Sequence, residues 1–168
     1  VKDLQPHPYQ TMMISHVIDT PRCALWAGMG MGKTSSTLSA VDALLLSGSA
    51  TKVLVLAPLR VARTTWPDEA RKWSQFAGMK VGFIEDWTAA EQTFLRALAA
   101  AVKLERRDEK RANSATREAF LAADSLRPAA AASRIAWAKP LDVVTVNYDV
   151  LLQLVDILGE QWPFDMVI

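Results

Sequence analysis

Residues 52–58, KVLVLAP, are apolar at almost every position over the length of one strand. A strand with one wet face alternates apolar and polar residues, so a strand that is apolar throughout has to be covered on both faces. That is the situation of an inner strand in a parallel sheet with helices on either side. The rest of the chain is compatible with this demand. CALWA (23–27), KVGFIE (80–85), LDVVTVNY (141–148) and FDMVI (164–168) read as further strands. Between them, Met13, Ile14, Val17 and Ile18 recur at helical spacing until Pro21, and a second helix is predicted over 33–46, ending before Gly48. A helix or helix pair is predicted over 59–74, with Pro67 opening a new segment that has Asp68 and Glu69 in its first turn. Strands alternating with helices define an α/β domain with a mainly parallel sheet, and 168 residues suffice for one sizeable core.

The junction between the first predicted strand and the second helix carries the clearest chemistry. It reads LWAGMGMGKT, residues 25–34. Gly28, Gly30 and Gly32 let the backbone turn tightly and approach a ligand without side chains in the way. The helix that follows directs its free amides and the positive end of its dipole at the same place, which is where a phosphate group binds. Lys33 can reach outer phosphates, and the Thr34 hydroxyl can join the coordination shell of a magnesium ion bridging them. Strand, glycine loop, Gly-Lys-Thr and helix in this order are the context that a nucleotide phosphate loop requires. The strict pattern has glycine at position 27, where this chain has Ala27. The loop alone does not distinguish kinases, switch GTPases and motor proteins.

Four stretches in order narrow the choice. PYQ at 8–10 resembles the Q motif of superfamily 2 helicases, AGMGMGKT at 27–34 their motif I, LAPLRVARTTWPDEARKW at 56–73 their motif Ia, and DVVTVNYDVL at 142–151 their motif Ib. The Met-Gly-x-Gly-Lys-Thr form and the spacing of Trp66, Glu69 and Trp73 resemble the chromatin-remodeller type of double-stranded DNA translocase, and motif Ia is closer still to phage and prophage helicases. The resemblance covers nearly all of the chain outside residues 88–138. It implies the first part of an N-terminal RecA-like P-loop NTPase lobe, with core residues 1–87 and 139–168 and a helical insert at 88–138. ATP and Mg2+ would be held by Tyr9, Gln10, Gly28, Met29, Gly30, Met31, Gly32, Lys33, Thr34 and Ser35, with Lys33 and Thr34 in the catalytic step. Gln10 would read the adenine edge, as an amide offering donor and acceptor side by side can do. DNA backbone contacts would fall to Pro58, Leu59, Arg60, Arg63 and Asn147. Trp66 and Trp73 read as packing residues. A second RecA-like lobe in the same full-length chain would complete the motor, and the location would be the cytoplasm of a bacterial or phage-infected cell. A small P-loop kinase and a non-catalytic DNA-binding or interaction module are the alternatives.

Residues 88–138 hold 17 alanines and no glycine, with nine basic and six acidic side chains, and read as two or more helices. Phe94, Leu98 and Val102 give one of them an apolar face, PAAAAS (128–133) reads as a loop or frayed helix start, and KLERRDEKR (103–111), which mixes both signs, as a solvated helix surface with charge pairs in preference to a nucleic-acid patch. The net charge of +1 makes no global case for nucleic acid. No run is long and apolar enough for a membrane helix, and one cysteine excludes an internal disulfide; Cys23 reads as a small core residue. His7 and His16 lack metal spacing. The first residue, Val1, and the uncapped apolar end WPFDMVI lead to the expectation of a segment from a longer protein, ending just before the acidic pair of motif II. Asp165 precedes the last strand, at the end away from a nucleotide, and reads as no metal ligand.

Overall fold

The structure, a computed structural model, describes residues 2–84, 87–107 and 114–168. The chain divides into two compact units, Val1–Ile84 with Leu141–Tyr148 and Phe164–Ile168, and Glu85–Pro140 with Asp149–Pro163.

The first unit is α/β. Helices α1 (Pro8–Asp19) and α2 (Lys33–Leu46) precede strand β1 (Val53–Ala57), helix α3 (Trp66–Lys72) and strand β2 (Val81–Phe83). Strands β3 (Val143–Asn147) and β4 (Met166–Val167) complete a four-stranded sheet in the order β2-β3-β1-β4. Every pairing is parallel, with Val53 opposite Val143 and Ala57 opposite Asn147. The apolar run at 52–58 is thus an inner strand. Val53 and Val55 pack with Leu38 and Val41 of α2 and with Trp66 and Ala70 of α3, while Leu54, which points to the other face, is equally buried. Trp66 belongs to this core, and Trp73 packs against it with its indole N–H donating to Glu69 Oε1 at 2.7 Å. Both tryptophans are packing residues, as their setting in the sequence suggests.

Between β1 and α3 the chain passes through a wider, π-type turn at Val61–Thr65. The buried Thr145 hydroxyl donates to the Ala62 carbonyl at 2.7 Å, tying this turn to the middle of the sheet. At the opposite end Asp165 closes the β1/β4 edge. Its carboxylate accepts from the Thr51 amide and hydroxyl at 2.8 and 2.7 Å and from the Lys52 amide at 3.1 Å. Partial burial pulls its pKa upward, but these hydrogen bonds outweigh that and hold it below the usual carboxylate range.

The strand expected over 23–27 does not form. Residues 23–27 pair with no strand among the described residues, and Cys23 is exposed rather than part of the core. The reason lies at the sheet edge: β4 pairs with β1 over two residues, so its free side offers a ladder too short to offset the ordering of another strand. The strand expected over 80–85 is Val81–Phe83, and position 85 lies outside the described residues.

The second unit is helical. Helices α4 (Ala89–Arg107) and α5 (Ser114–Ala138) lie against each other, with α6 (Leu151–Leu158) packed on both. Phe94, Ala130, Ala131 and Ile157 form its core, with Leu98 beside them. Residues 128–133 are not a loop: α5 runs through them with Pro128 in its interior. Proline costs an inner helix roughly 3 kcal/mol, but Ala130 and Ala131 are buried and set α5 close against Phe94, and the packing outweighs that cost. Arg134 is buried with Glu91, to which it donates at 2.6 and 2.9 Å, and its guanidinium lies over the Trp87 and Trp137 rings at 4.7 and 4.9 Å. Of the stretch 103–111, residues 103–106 are exposed, and 108–111 lie outside the described residues. No helix among the described residues is long and apolar enough to cross a membrane.

Candidate phosphate-binding loop and sheet edge

The glycine loop leads directly into α2, whose first residue is Lys33. Gly32 caps the helix in the left-handed region at φ 70°, and Gly30 lies there too at φ 77°. These two positions use what only glycine supplies at low cost. Nothing lies within 4 Å of where a Cβ on Gly30 would stand, so the loop is open on that side. At Gly32 the same Cβ would stand 2.2 Å from Gln10 Nε2 and 3.1 Å from Ser35 Oγ. The sequence therefore has glycine at 32 for two reasons, backbone sign and space for Gln10.

Gln10 is buried at the start of α1. Its Oε1 accepts the His7 amide at 2.8 Å, capping the helix, and its Nε2 reaches the Met31 carbonyl at 3.4 Å. The glutamine thus connects α1 to the loop across 21 residues of chain. Tyr9, half-exposed, stacks on the His7 ring at 5.5 Å. Lys33 Nζ donates to the carbonyls of Ala27 and Gly28 at 2.7 and 2.8 Å, so its ammonium sits at the opening of the loop, held by neutral acceptors. Ser35 Oγ donates to the Gly32 carbonyl at 2.9 Å, which turns it toward the protein. Thr34, next to Lys33 in the first turn, is half-buried. Trp26 and Met29 stand almost wholly in solvent, 97% and 100% exposed, and Met31 is partly so. Reading by motif misses Ser36, a buried residue in the first turns of α2 whose hydroxyl has no hydrogen-bond partner. Its only signal is the hydroxyl-rich run KTSST.

The second group of expected site residues lies at the carboxyl end of the sheet. Because β1 and β3 are in register, Pro58, Leu59 and Arg60 leave β1 at the level where Asn147 ends β3. Pro58, Leu59, Arg60 and Arg63 are exposed, Asn147 is half-buried and Tyr148 exposed. Arg63 lies over the Phe83 ring at 5.1 Å, which fixes the guanidinium above the end of β2. Phe83 is a supporting residue that no motif indicated. Carboxyl ends of parallel strands are where α/β sheets present ligands, and here they present two arginines and an amide. Thr145, by contrast, is buried beneath that surface.

This is a parallel α/β sheet with a glycine loop at the start of a helix. Over its whole length the chain is 40% identical to protein p41 of Acyrthosiphon pisum secondary endosymbiont phage 1, and it spans 28% of that protein's length. No family model and no solved structure matches it.

Proposed function

We propose that this chain is the ATP-binding part of an ATP-dependent DNA helicase or translocase of superfamily 2, an N-terminal RecA-like lobe that acts with a second lobe of the same full-length protein. The observation that carries the reading is the loop at 28–32, with two left-handed glycines delivering Lys33 and Thr34 to the first turn of a 14-residue helix. A triphosphate placed there would meet the helix amides and dipole, and Lys33 would exchange two neutral carbonyls for anionic phosphate oxygens, a stronger class of hydrogen bond. The open side of Gly30 leaves room beside the half-buried Thr34 for a phosphate-bound Mg2+, which Thr34 would help to hold and which would neutralise charge developing on the transferred phosphoryl group. Gln10 would read the adenine edge by exchanging its bonds to His7 and Met31 for the base, and its bond to Met31 is what joins it to the loop. Pro58, Leu59, Arg60, Arg63 and Asn147 would line the DNA side, the arginines as phosphate contacts. The relative comes from a phage, in keeping with the proposed location in the cytoplasm of a bacterial or phage-infected cell, and its name states no activity.

The test is ATP turnover by the full-length protein with and without duplex DNA. Turnover that rises with DNA and disappears in Lys33→Ala is expected. Turnover retained in Lys33→Ala would overturn the reading, since the charge balance at the transferred phosphate would then come from elsewhere.

A further inference from the structure

Helix α4 presents two chemically distinct faces. Glu91, Phe94, Leu98 and Ala101 follow one another at helical spacing on the packed side, where Glu91, Phe94 and Ala101 are fully buried. Positions 96 and 103 stand roughly opposite that seam at about 100° per residue, and Arg96, Lys103 and Arg106 are all exposed. The residues between them on this side, Ala99 and Ala100, are exposed and project almost nothing.

A helix surface that only faces water normally intersperses its charges, with acids three or four residues from bases. Elsewhere this chain does so: Arg71 pairs with Asp68, Lys72 with Glu69 and Arg127 with Asp124, each three residues apart. The outer face of α4 does so only at its far end, where Glu109 follows Arg106 by three residues. Positions 92, 93, 99 and 100 around Arg96 are Gln, Thr, Ala and Ala, and Lys103 has Ala99 and Ala100 before it and Arg106 after it. Among the described residues no carboxylate pairs with Arg96, Lys103 or Arg106, and the polar neighbour of Arg96 is the Gln92 carbonyl at 3.5 Å. The helix's two acids are elsewhere, Glu91 buried against Arg134 and Glu105 in line with the packed seam. Around Arg96 and Lys103 the face thus carries cations with no acid at helical spacing, which a polyanion would match.

We propose that the outer face of α4 binds the phosphate backbone of nucleic acid through Arg96, Lys103 and Arg106, with Ala99 and Ala100 allowing close approach. Residues 96 to 106 span about 15 Å of helix. A duplex strand presents a phosphate about every 3.4 Å along its axis, so one backbone segment can meet all three cations. The contact carries no base readout. It rests on the proposed function only for the choice of nucleic acid among polyanions.

The experiment compares full-length wild-type protein with the Arg96→Gln/Lys103→Gln/Arg106→Gln variant. Glutamine keeps helix propensity, and far-UV circular dichroism and thermal melting check the fold. Binding of a fluorescent duplex is followed by anisotropy over a salt series, without nucleotide. Three lost phosphate contacts should make the slope of log K against log salt shallower by about 2.7 and weaken low-salt binding by about tenfold or more, alike for unrelated sequences. The Glu variant at the same positions should bind more weakly still. Unchanged slope and affinity in a folded variant would overturn the proposal. So would loss of binding to phosphatidylserine-containing vesicles with DNA binding intact, which would make the face a membrane contact. Lys33→Ala should leave the slope untouched. A protein that hydrolyses no ATP yet shows the α4-dependent slope would refute the motor and leave this face standing.

Discussion

Placing a methyl group on Gly32 tests the geometry of the loop at its tightest point. In Gly32→Ala two costs arise. Alanine in the left-handed region is strained by about 1–2 kcal/mol. In addition, the new Cβ would stand 2.2 Å from Gln10 Nε2. The amide is the end of a flexible side chain, so it swings away rather than forcing the backbone. It then gives up the bond to the His7 amide at 2.8 Å and the longer one to Met31. One good hydrogen bond is worth about 1 kcal/mol net, so the total is about 2–3 kcal/mol. Removing the amide beforehand, in Gln10→Ala, costs its hydrogen bond but leaves nothing to displace. The double variant should therefore be less destabilised than the sum of the singles by about 1 kcal/mol. Urea unfolding of the wild type, both singles and the double measures this coupling. Gly30→Ala serves as the control, because it carries similar strain with no neighbour within 4 Å and should add to Gln10→Ala. Additivity of Gly32→Ala and Gln10→Ala within error would refute the argument that Gln10 occupies the space beside Gly32.

Three other perturbations have determined signs. Glu91→Gln leaves buried Arg134 without its anion and should destabilise the helical unit by about 3–5 kcal/mol, read as a fall in the denaturant midpoint. Thr145→Val removes a buried hydroxyl that donates to the Ala62 carbonyl; leaving that carbonyl unpaired should cost about 1–3 kcal/mol, and an unchanged melting temperature would show the bond to be dispensable. Asp165 has a lowered pKa in the fold, so it binds fewer protons folded than unfolded. Its stabilising effect is present above the ordinary carboxylate range and is lost as pH falls through the folded value. Asp165→Asn should therefore flatten the loss of stability on acidification, and identical pH profiles for the two proteins would contradict the assignment.

The parallel sheet was legible because KVLVLAP and LDVVTVNY are apolar on both faces, a pattern that few other environments accept. Helix α2 was legible because Gly32 and Gly48 bracket it. The run at 23–27 shows where periodicity stops being informative: CALWA has the composition of a strand, but a strand exists only with a partner, and β4 pairs over two residues. Cys23 is exposed for the same reason. Residues 128–133 failed in the other direction, since the intrinsic cost of Pro128 suggested a break and the packing of Ala130 and Ala131, which is not a local property, decided for helix. The site divides likewise. Motif spacing located Lys33, Thr34 and the arginines after β1. The contact of Gln10 with Gly32, the seat of Arg63 on Phe83 and the unpartnered Ser36 hydroxyl depend on how segments meet in space, so no spacing rule encodes them.

The central claim, that the loop at 28–34 is a nucleotide phosphate site, is tested most directly by isothermal titration of Mg-ADP and Mg-ATP into the wild-type chain and its Lys33→Ala variant. Saturable one-to-one binding is expected, competed by inorganic triphosphate and weakened by about tenfold or more in the variant, the equivalent of one charge-assisted hydrogen bond. A folded wild-type chain that binds neither nucleotide, or binds them with the same affinity when Lys33 is alanine, would contradict it.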